Sequence, residues 1–534
     1  MPPRLLAILL CIASGAEAAT YSVDTSSDAA LSACTAAPAD CSLRGAILQA
    51  NLDAAEDRIE FALPSSDAGF QASTGHWLIQ TASALPLIEQ SVVIDGYTQP
   101  GALPNTQSPA QGGSNALLKI ELRPQTANSH EGIATNGGFV NARLIVRGLA
   151  INRYTQQIVL AGLAAHRVEG CFLGTDLTGQ QAAQSGIGNG VRLQGGGPVV
   201  IGGLDPASRN LIAGMANGVV NFAFAGSDGI RIQGNLIGTN AAGTAAIGHR
   251  FEGLSLSLNR NSLIGGSDPA ARNVIAASGL SAISMNANSG GTPAFQGSRI
   301  QGNYIGTDVS GRIALGNGFN PGSPTQPQAA LLFFSGDPCA AEVGGTAPGE
   351  ANLIAHSGSA GILVGNCRGV RISGNRFQAN RGIPIDLSSS SNADGITAND
   401  PGDADSGGNR LQNTPVLSLP GNFLPSGGLS LNLGVLVDSS TSNASYPLTL
   451  QFWRANCDGG GSELIGSSGY SAAQAQSSIN VALSAPDGAN VLPLTALVID
   501  NEGNTSEFAP RIGDQIALAG FEDGSTTASA GLCR

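Results

Sequence analysis

Two phrases alternate along this chain, and their spacing constrains the fold before any local propensity is weighed. The first is Val168-Glu-Gly-Cys-Phe-Leu-Gly-Thr-Asp176, then Ile232-Gln-Gly-Asn-Leu-Ile-Gly-Thr-Asn240 and Ile300-Gln-Gly-Asn-Tyr-Ile-Gly-Thr-Asp308. A truncated copy, Ile372-Ser-Gly-Asn-Arg-Phe377, ends the series. The second is Ile201-Gly-Gly-Leu-Asp-Pro-Ala-Ser-Arg-Asn-Leu-Ile-Ala213 and Ile264-Gly-Gly-Ser-Asp-Pro-Ala-Ala-Arg-Asn-Val-Ile-Ala276, with a decayed copy from Val343 to Ala355. The first phrases start 64 and 68 residues apart, the second 63 and 79. A fixed period of this kind marks a stacked array, in which each unit buries its apolar face only against its neighbours.

The fold class expected is all-β: a parallel β-helix with a short N-terminal helical cap and a C-terminal β-sandwich. A period near 64 divides into three coils of ~21 residues, a usual turn length for such a solenoid. Short β-prone runs such as Gly229-Ile-Arg-Ile-Gln233 and Gly369-Val-Arg-Ile-Ser373 alternate apolar with polar residues and stop at Gly-Asn. On this reading residues 86–395 make ~14 coils and a rod of ~65 Å. Asn235, Asn303 and Asn375 share one phase of the repeat, with Cys171 in the first copy. Two readings stay open for them: an amide ladder from coil to coil, or residues that simply suit a turn.

The first 18 residues carry a charged start at Arg4, an apolar run over 5–13 and Ala16-Glu-Ala18, the pattern of a signal peptide cleaved after Ala18. Export, to the cell surface or beyond, is the localisation expected. No later run reaches the ~18 apolar residues a spanning helix needs, so no transmembrane segment is expected. A net charge of −13 argues against nucleic acid as a partner. Export permits disulfides. Cys34 with Cys41, Cys339 with Cys367 and Cys457 with Cys533 are the expected pairs, leaving Cys171 as a buried, unreactive thiol.

Along the chain, residues 19–85 form the cap and leading strands. Leu43, Ala46, Ile47 and Ala50 fall at helical spacing behind Ser42, a candidate N-cap. A helix here would close the open end of the stack. Residues 99–114 and 317–328 read as long loops, which carry function more often than coil walls do. Residues 396–414 form an acidic linker, residues 415–512 an immunoglobulin-like sandwich with strands near 430–437, 448–453, 478–483 and 494–499, and residues 513–534 a tail.

Together these features resemble a family of secreted bacterial right-handed parallel β-helix proteins whose N-terminal signature reads Cys-Ser-Leu-Arg-Glu-Ala. Here it stands as Cys41-Ser-Leu-Arg-Gly-Ala46, with Gly45 in place of Glu. Ile94-Asp-Gly-Tyr-Thr-Gln-Pro-Gly101 is similar to the family's lead-in motif, Asn399-Asp-Pro-Gly-Asp-Ala-Asp405 to its helix exit, and Asp500-Asn-Glu-Gly-Asn-Thr-Ser-Glu-Phe508 to the last strand pair of its sandwich. The resemblance implies a surface or extracellular protein and no defined activity, so it assigns no catalytic residue.

The function expected is non-catalytic binding or adhesion to an extracellular glycan or cell-surface ligand. The alternative is a polysaccharide lyase or glycoside hydrolase on the same scaffold, which needs paired carboxylates on one wall. Arg231, Arg299 and Arg371 recur with the repeat, as structural residues do and active-site residues rarely do. No Gly-x-Ser-x-Gly or His-x-x-x-His occurs. Asp400, Asp403 and Asp405 form the candidate metal site. Three carboxylates in six residues, with Gly402 and Gly407 for sharp turns, suit a hard cation such as calcium. A solvated hinge stabilised by Asp turns is the competing reading.

Overall fold

The computed structural model describes residues 17–221, 227–257, 259–286, 294–319, 328–334, 338–419, 430–484 and 491–513. Residues 1–16 of the expected signal, residues 320–327 of the second loop, and the tail from residue 514 lie outside them.

The apolar alternation seen in sequence becomes columns of stacked side chains. In the first sheet Val168, Ile201, Ile232, Ile264, Ile300, Val343 and Ile372 pair in parallel, each with the next. All seven are buried. Ile151, Leu173, Ile212, Ile237, Ile275, Ile305 and Ile354 do the same in the second sheet. Ile158, Val191, Val219, Leu254, Ile283, Leu331 and Ile362 form the third column. The sheets hold 11, 11 and nine strands, and the chain visits them in rotation. Their inward residues make one continuous core. This is the organisation of a parallel solenoid. Pairing begins with Thr20–Val23 against Asp57–Phe61, ahead of residue 86, and ends at Arg371–Ser373, Arg376–Gln378 and Ile385–Ser388.

The coil length differs from the sequence expectation. Val168, Ile201, Ile232 and Ile264 lie 33, 31 and 32 residues apart on successive rungs. The 64-residue period is therefore two coils, not three of 21. The first sheet has 11 rungs rather than 14, a stack of about 48 Å at the ordinary strand spacing. Two extra pieces lengthen each coil pair. After Gly-Thr the chain doubles back in a turn closed by the bridges Thr175 to Ala182, Thr239 to Ala246 and Thr307 to Ala314. These turns, with the strap over residues 99–114, lie on the outer face of the second sheet. There Phe172, Leu211, Leu236 and Val274 form a separate small core.

The alternating phrases are two ways of building one corner, between the first and second sheets. In Ile232-Gln-Gly-Asn-Leu236 the turn is tight. In the Gly-Gly phrase a 3-10 turn is inserted, Pro206–Ser208 or Pro269–Ala271, with Asp205 and Asp268 accepting from the N–H groups of Ala207 and Ala270 as N-caps. Gly202 has φ +85°, and a Cβ there would lie 2.0 Å from the carbonyl oxygen of Gln233 on the next rung. The backbone at this corner leaves no room for a side chain.

Both phrases place an asparagine at the same point. Asn210, Asn235, Asn273, Asn303 and Asn352 each pass one Nδ2–H to the Oδ1 of the next, ending at Asn375, at 2.9, 3.0, 2.9, 3.0 and 2.9 Å. All are at most 2% exposed. The ladder reading of Asn235, Asn303 and Asn375 holds, with twice as many members. Cys171 takes the first rung, its N–H donating to Asn210 Oδ1 at 2.9 Å.

The N-terminal end is closed by the helix α1, Leu43–Ala50. Ser42 caps it, its Oγ accepting from Gly45 N at 3.0 Å. Leu43, Ala46, Ile47 and Ala50 are no more than 1% exposed and belong to the solenoid core. Gly45 is required by packing, since a Cβ there would sit 1.7 Å from the Leu31 carbonyl oxygen. Arg44 ties α1 to Asp28 at 2.7 Å and to the carbonyls of Ser83 and Ala84.

Beyond the solenoid lie two three-stranded antiparallel sheets. One joins Val416–Ser418, Ser430–Leu436 and Ile479–Ser484; the other joins Gly461–Tyr470, Leu448–Ala455 and Leu494–Ile499. Leu433, Val435, Leu450, Phe452 and Val498 pack between them. The opposite face of the second of these sheets carries Trp453, Leu497 and Ile499, which join the solenoid core.

Cys34–Cys41 and Cys339–Cys367 are disulfide-bonded. Cys457 is also in disulfide form, and Cys533, its expected partner, lies outside the described residues. No helix among the described residues is long and apolar enough to cross a membrane.

Candidate functional site

The carboxylic acids that burial raises furthest, Asp386, Asp403 and Glu507, gather where the solenoid meets the antiparallel sheets. The chain leaves the last coil at Ile385–Ser388 and folds over residues 394–414 before the first antiparallel strand. In that segment Asp400, Asp403 and Asp405 each offer a carboxylate oxygen, all within 4.8 Å of one another. Asp403 is buried and has φ +64°. Its carboxylate accepts from Gln412 Nε2 at 2.5 Å and Asn413 N at 2.8 Å, while Asp400 accepts from Ala404 N at 2.9 Å. Burial, with the charges of Asp405 and Asp400, pushes the Asp403 carboxyl up to about 6. Burial and Asp400 also raise Asp405. Three convergent carboxylate oxygens are suited to a hard cation. Arg410 and Arg368 line the same cavity, with Arg410 committed to Glu502 at 3.0 Å and to the Asn443 carbonyl.

A second cluster at this junction was not singled out from sequence. The segment after Leu494–Ile499 turns back and pairs antiparallel with that strand, Ser506 N donating to the Val498 carbonyl at 2.9 Å and Ala509 N to the Ala496 carbonyl at 2.8 Å, and it also plugs the last coil. Asn504 Oδ1 accepts from Gly369 N at 2.8 Å, Thr505 Oγ1 from Ile372 N at 2.9 Å, and Glu507 Oε1 from Leu387 N at 3.0 Å. Each bond satisfies a donor that a further coil would otherwise take. Glu507 Oε2 also accepts from Thr397 N at 3.0 Å. Burial pushes Glu507 up to about 7 and Asp386 up to about 6, and each loses some of this to backbone donors. The density of Asp, Asn, Thr and Glu over residues 500–507 was the available signal. Beside Glu507 runs an apolar groove of about 480 Å³, walled by Ile383, Pro384, Ile396, Val416, Phe508 and Pro510.

The other titratable candidates serve the stack. Asp176 and Asp308 cap the turns after Gly-Thr, accepting from Gln180 N at 3.0 Å and from Arg312 N and Ile313 N at 3.1 Å. His76 pairs with Glu121 at 3.2 Å, and burial depresses His249 to about 4. Cys171 is fully buried, and burial raises its thiol to about 12, where it is neither nucleophile nor ligand. The strap over residues 99–114 is bound to the coil wall through Asn105 to the Pro206 carbonyl and Ser114 to the Ala241 carbonyl.

No family model matches this chain, and no curated protein matches it.

Proposed function

We propose that this chain is an exported, non-catalytic right-handed parallel β-helix that binds a glycan or another cell-surface ligand outside the cell. Residues 19–85 serve as its cap, 86–395 as the helix, 396–414 as an acidic linker and 415–512 as an immunoglobulin-like sandwich. The resemblance of residues 41–51, 94–101 and 500–508 to secreted β-helix proteins supports this reading. So do the two disulfides. The observation that carries it is how the repeated polar groups are used. The asparagines bond to one another and to the backbone, and the Gly-Thr-Asp acids cap their own turns. A lyase or hydrolase needs unrepeated acids and a base in one cleft. Among the described residues, the group of three acids with convergent ligand atoms is Asp400, Asp403 and Asp405. They lie in the junction rather than on a coil wall. Their role on this reading is to hold calcium and stiffen the link between the two parts.

A glycan array probed with the mature chain tests the reading. Retention of a restricted set of glycans is the result expected. Uniform absence of binding, to glycans and to intact cells alike, would contradict it.

A further inference from the structure

The three outer faces of the solenoid are not equivalent. On the second sheet the outward residues Phe172, Leu211, Leu236 and Val274 are at most 4% exposed beneath the turns and the strap. On the third sheet Val159, Val220 and Leu363 are at most 2% exposed, while Arg192, Ser255 and Leu332 on the rungs between them are half-buried. The first sheet is open. Its outward column reads Arg167, Val200, Arg231, Leu263, Arg299 on five successive rungs. Because the sequence period is two coils, arginine returns on every second rung. That places the guanidinium stems about 9.6 Å apart, two strand spacings. Between them Val200 and Leu263 form half-buried apolar steps. The adjoining column pairs Gly202 with Gln233 and Gly265 with Gln301, so it carries no charge on these four rungs.

Arg231 and Arg299 are lightly used by the protein itself. Arg231 donates one bond, to the Asn261 carbonyl at 2.9 Å, and Arg299 is exposed without an ion pair among the described residues. Arg167 pairs with Glu169 at 2.5 Å. Glu342 follows Arg299 on the next rung as an acidic step, and Arg371 follows Glu342.

We propose that this row binds an extended anionic polysaccharide whose carboxylate or sulfate groups recur every second sugar. The inference rests on the glycan-binding reading above and adds the ligand's charge and its place. Guanidinium forks match carboxylate and sulfate oxygens in pairs. The aliphatic steps accept the C–H faces of the intervening sugars. A rigid row loses little entropy on binding. Nucleic acid fits less well, since the row has no aromatic platform for bases.

The test uses the full mature chain in affinity electrophoresis through gels loaded with hyaluronate, with one carboxylate per disaccharide, and through gels loaded with neutral dextran. Hyaluronate should retard the protein at low salt, with the effect shrinking as salt rises. Arg231→Gln with Arg299→Gln should weaken retardation on the order of tenfold, the sum of two exposed charge pairs, without shifting the melting curve. Glu342→Arg replaces the acidic step between Arg299 and Arg371 with a cation and should strengthen retardation, an independent arm should the double variant fail to fold. Equal retardation of the parent and both variants would overturn the proposal. So would equal binding of a single-stranded oligonucleotide. Retention by neutral glycans alone would defeat this inference and leave glycan binding standing. Retention by neither polymer, with an empty glycan array, would defeat both.

Discussion

Asn235 donates from Nδ2 to Oδ1 of Asn273 at 3.0 Å, across 38 residues of sequence and one coil of the stack. Asn235 also donates to the Ile201 carbonyl at 2.8 Å, and Asn273 Oδ1 accepts from Asn235 N at 3.0 Å. Each amide in the row thus serves its own rung and both neighbours. Truncating Asn273 to alanine orphans a buried donor and acceptor on adjacent coils. We expect a loss of about 1–3 kcal/mol for each group left unsatisfied. Urea unfolding measures it; a loss below the experimental error would mean that water replaces the amide.

The N-terminal helix should be indispensable. Leu43 and Ile47 are at most 1% exposed. Replacing both with aspartate buries two charges and uncovers the first coils. Aggregation or failure to fold is expected. Gly45→Ala should also destabilise, through the clash with the Leu31 carbonyl. A variant of either kind that melts like the parent would show that α1 does not close the stack.

Glu507 gives a signed pH dependence. Its folded value, about 7, lies above the ordinary carboxyl value of 4.5. The native state therefore holds this proton more tightly than the unfolded chain. The associated stability is complete below about pH 4.5 and lost as pH rises through 7. Asp386 and Asp403, each at about 6, act in the same direction. Depressed histidines such as His249, at about 4, oppose them. The clean comparison is the parent against Glu507→Gln. The difference in melting temperature should favour the variant at pH 8 and shrink toward pH 5. A difference independent of pH would refute the burial argument.

Calcium should raise the melting temperature in proportion to the logarithm of its concentration, because it binds the folded junction. Asp400→Asn with Asp405→Asn should abolish the rise. Calorimetry with and without a chelator decides, and superimposable curves would leave the trio as a structural turn.

Cys171 should resist alkylation in the folded protein and react once unfolded, since its thiol is buried and held protonated. Labelling at neutral pH without denaturant would contradict its place in the stack.

The parallel stack was legible in sequence because each rung repeats the same inward Ile or Val. The asparagine ladder was half legible. Asn235, Asn303 and Asn375 announce themselves in the tight phrase, whereas Asn210, Asn273 and Asn352 hide behind an inserted 3-10 turn that changes the local sequence but not the position. That same insertion concealed the coil length, since two unlike phrases read as two different places on one long unit. The Asp400, Asp403, Asp405 cluster was visible because its members are near in sequence. The plug of Asn504, Thr505 and Glu507 was not, because its partners lie more than 100 residues away.

The most direct test of the account is whether a bound glycan survives. The mature chain should be incubated with each glycan it retains, and the mixture assayed for new reducing ends and for unsaturated uronates. The account predicts retention without either product, at any calcium concentration. Steady release of oligosaccharides, abolished by heat denaturation of the protein, would contradict it and place an enzyme on this scaffold.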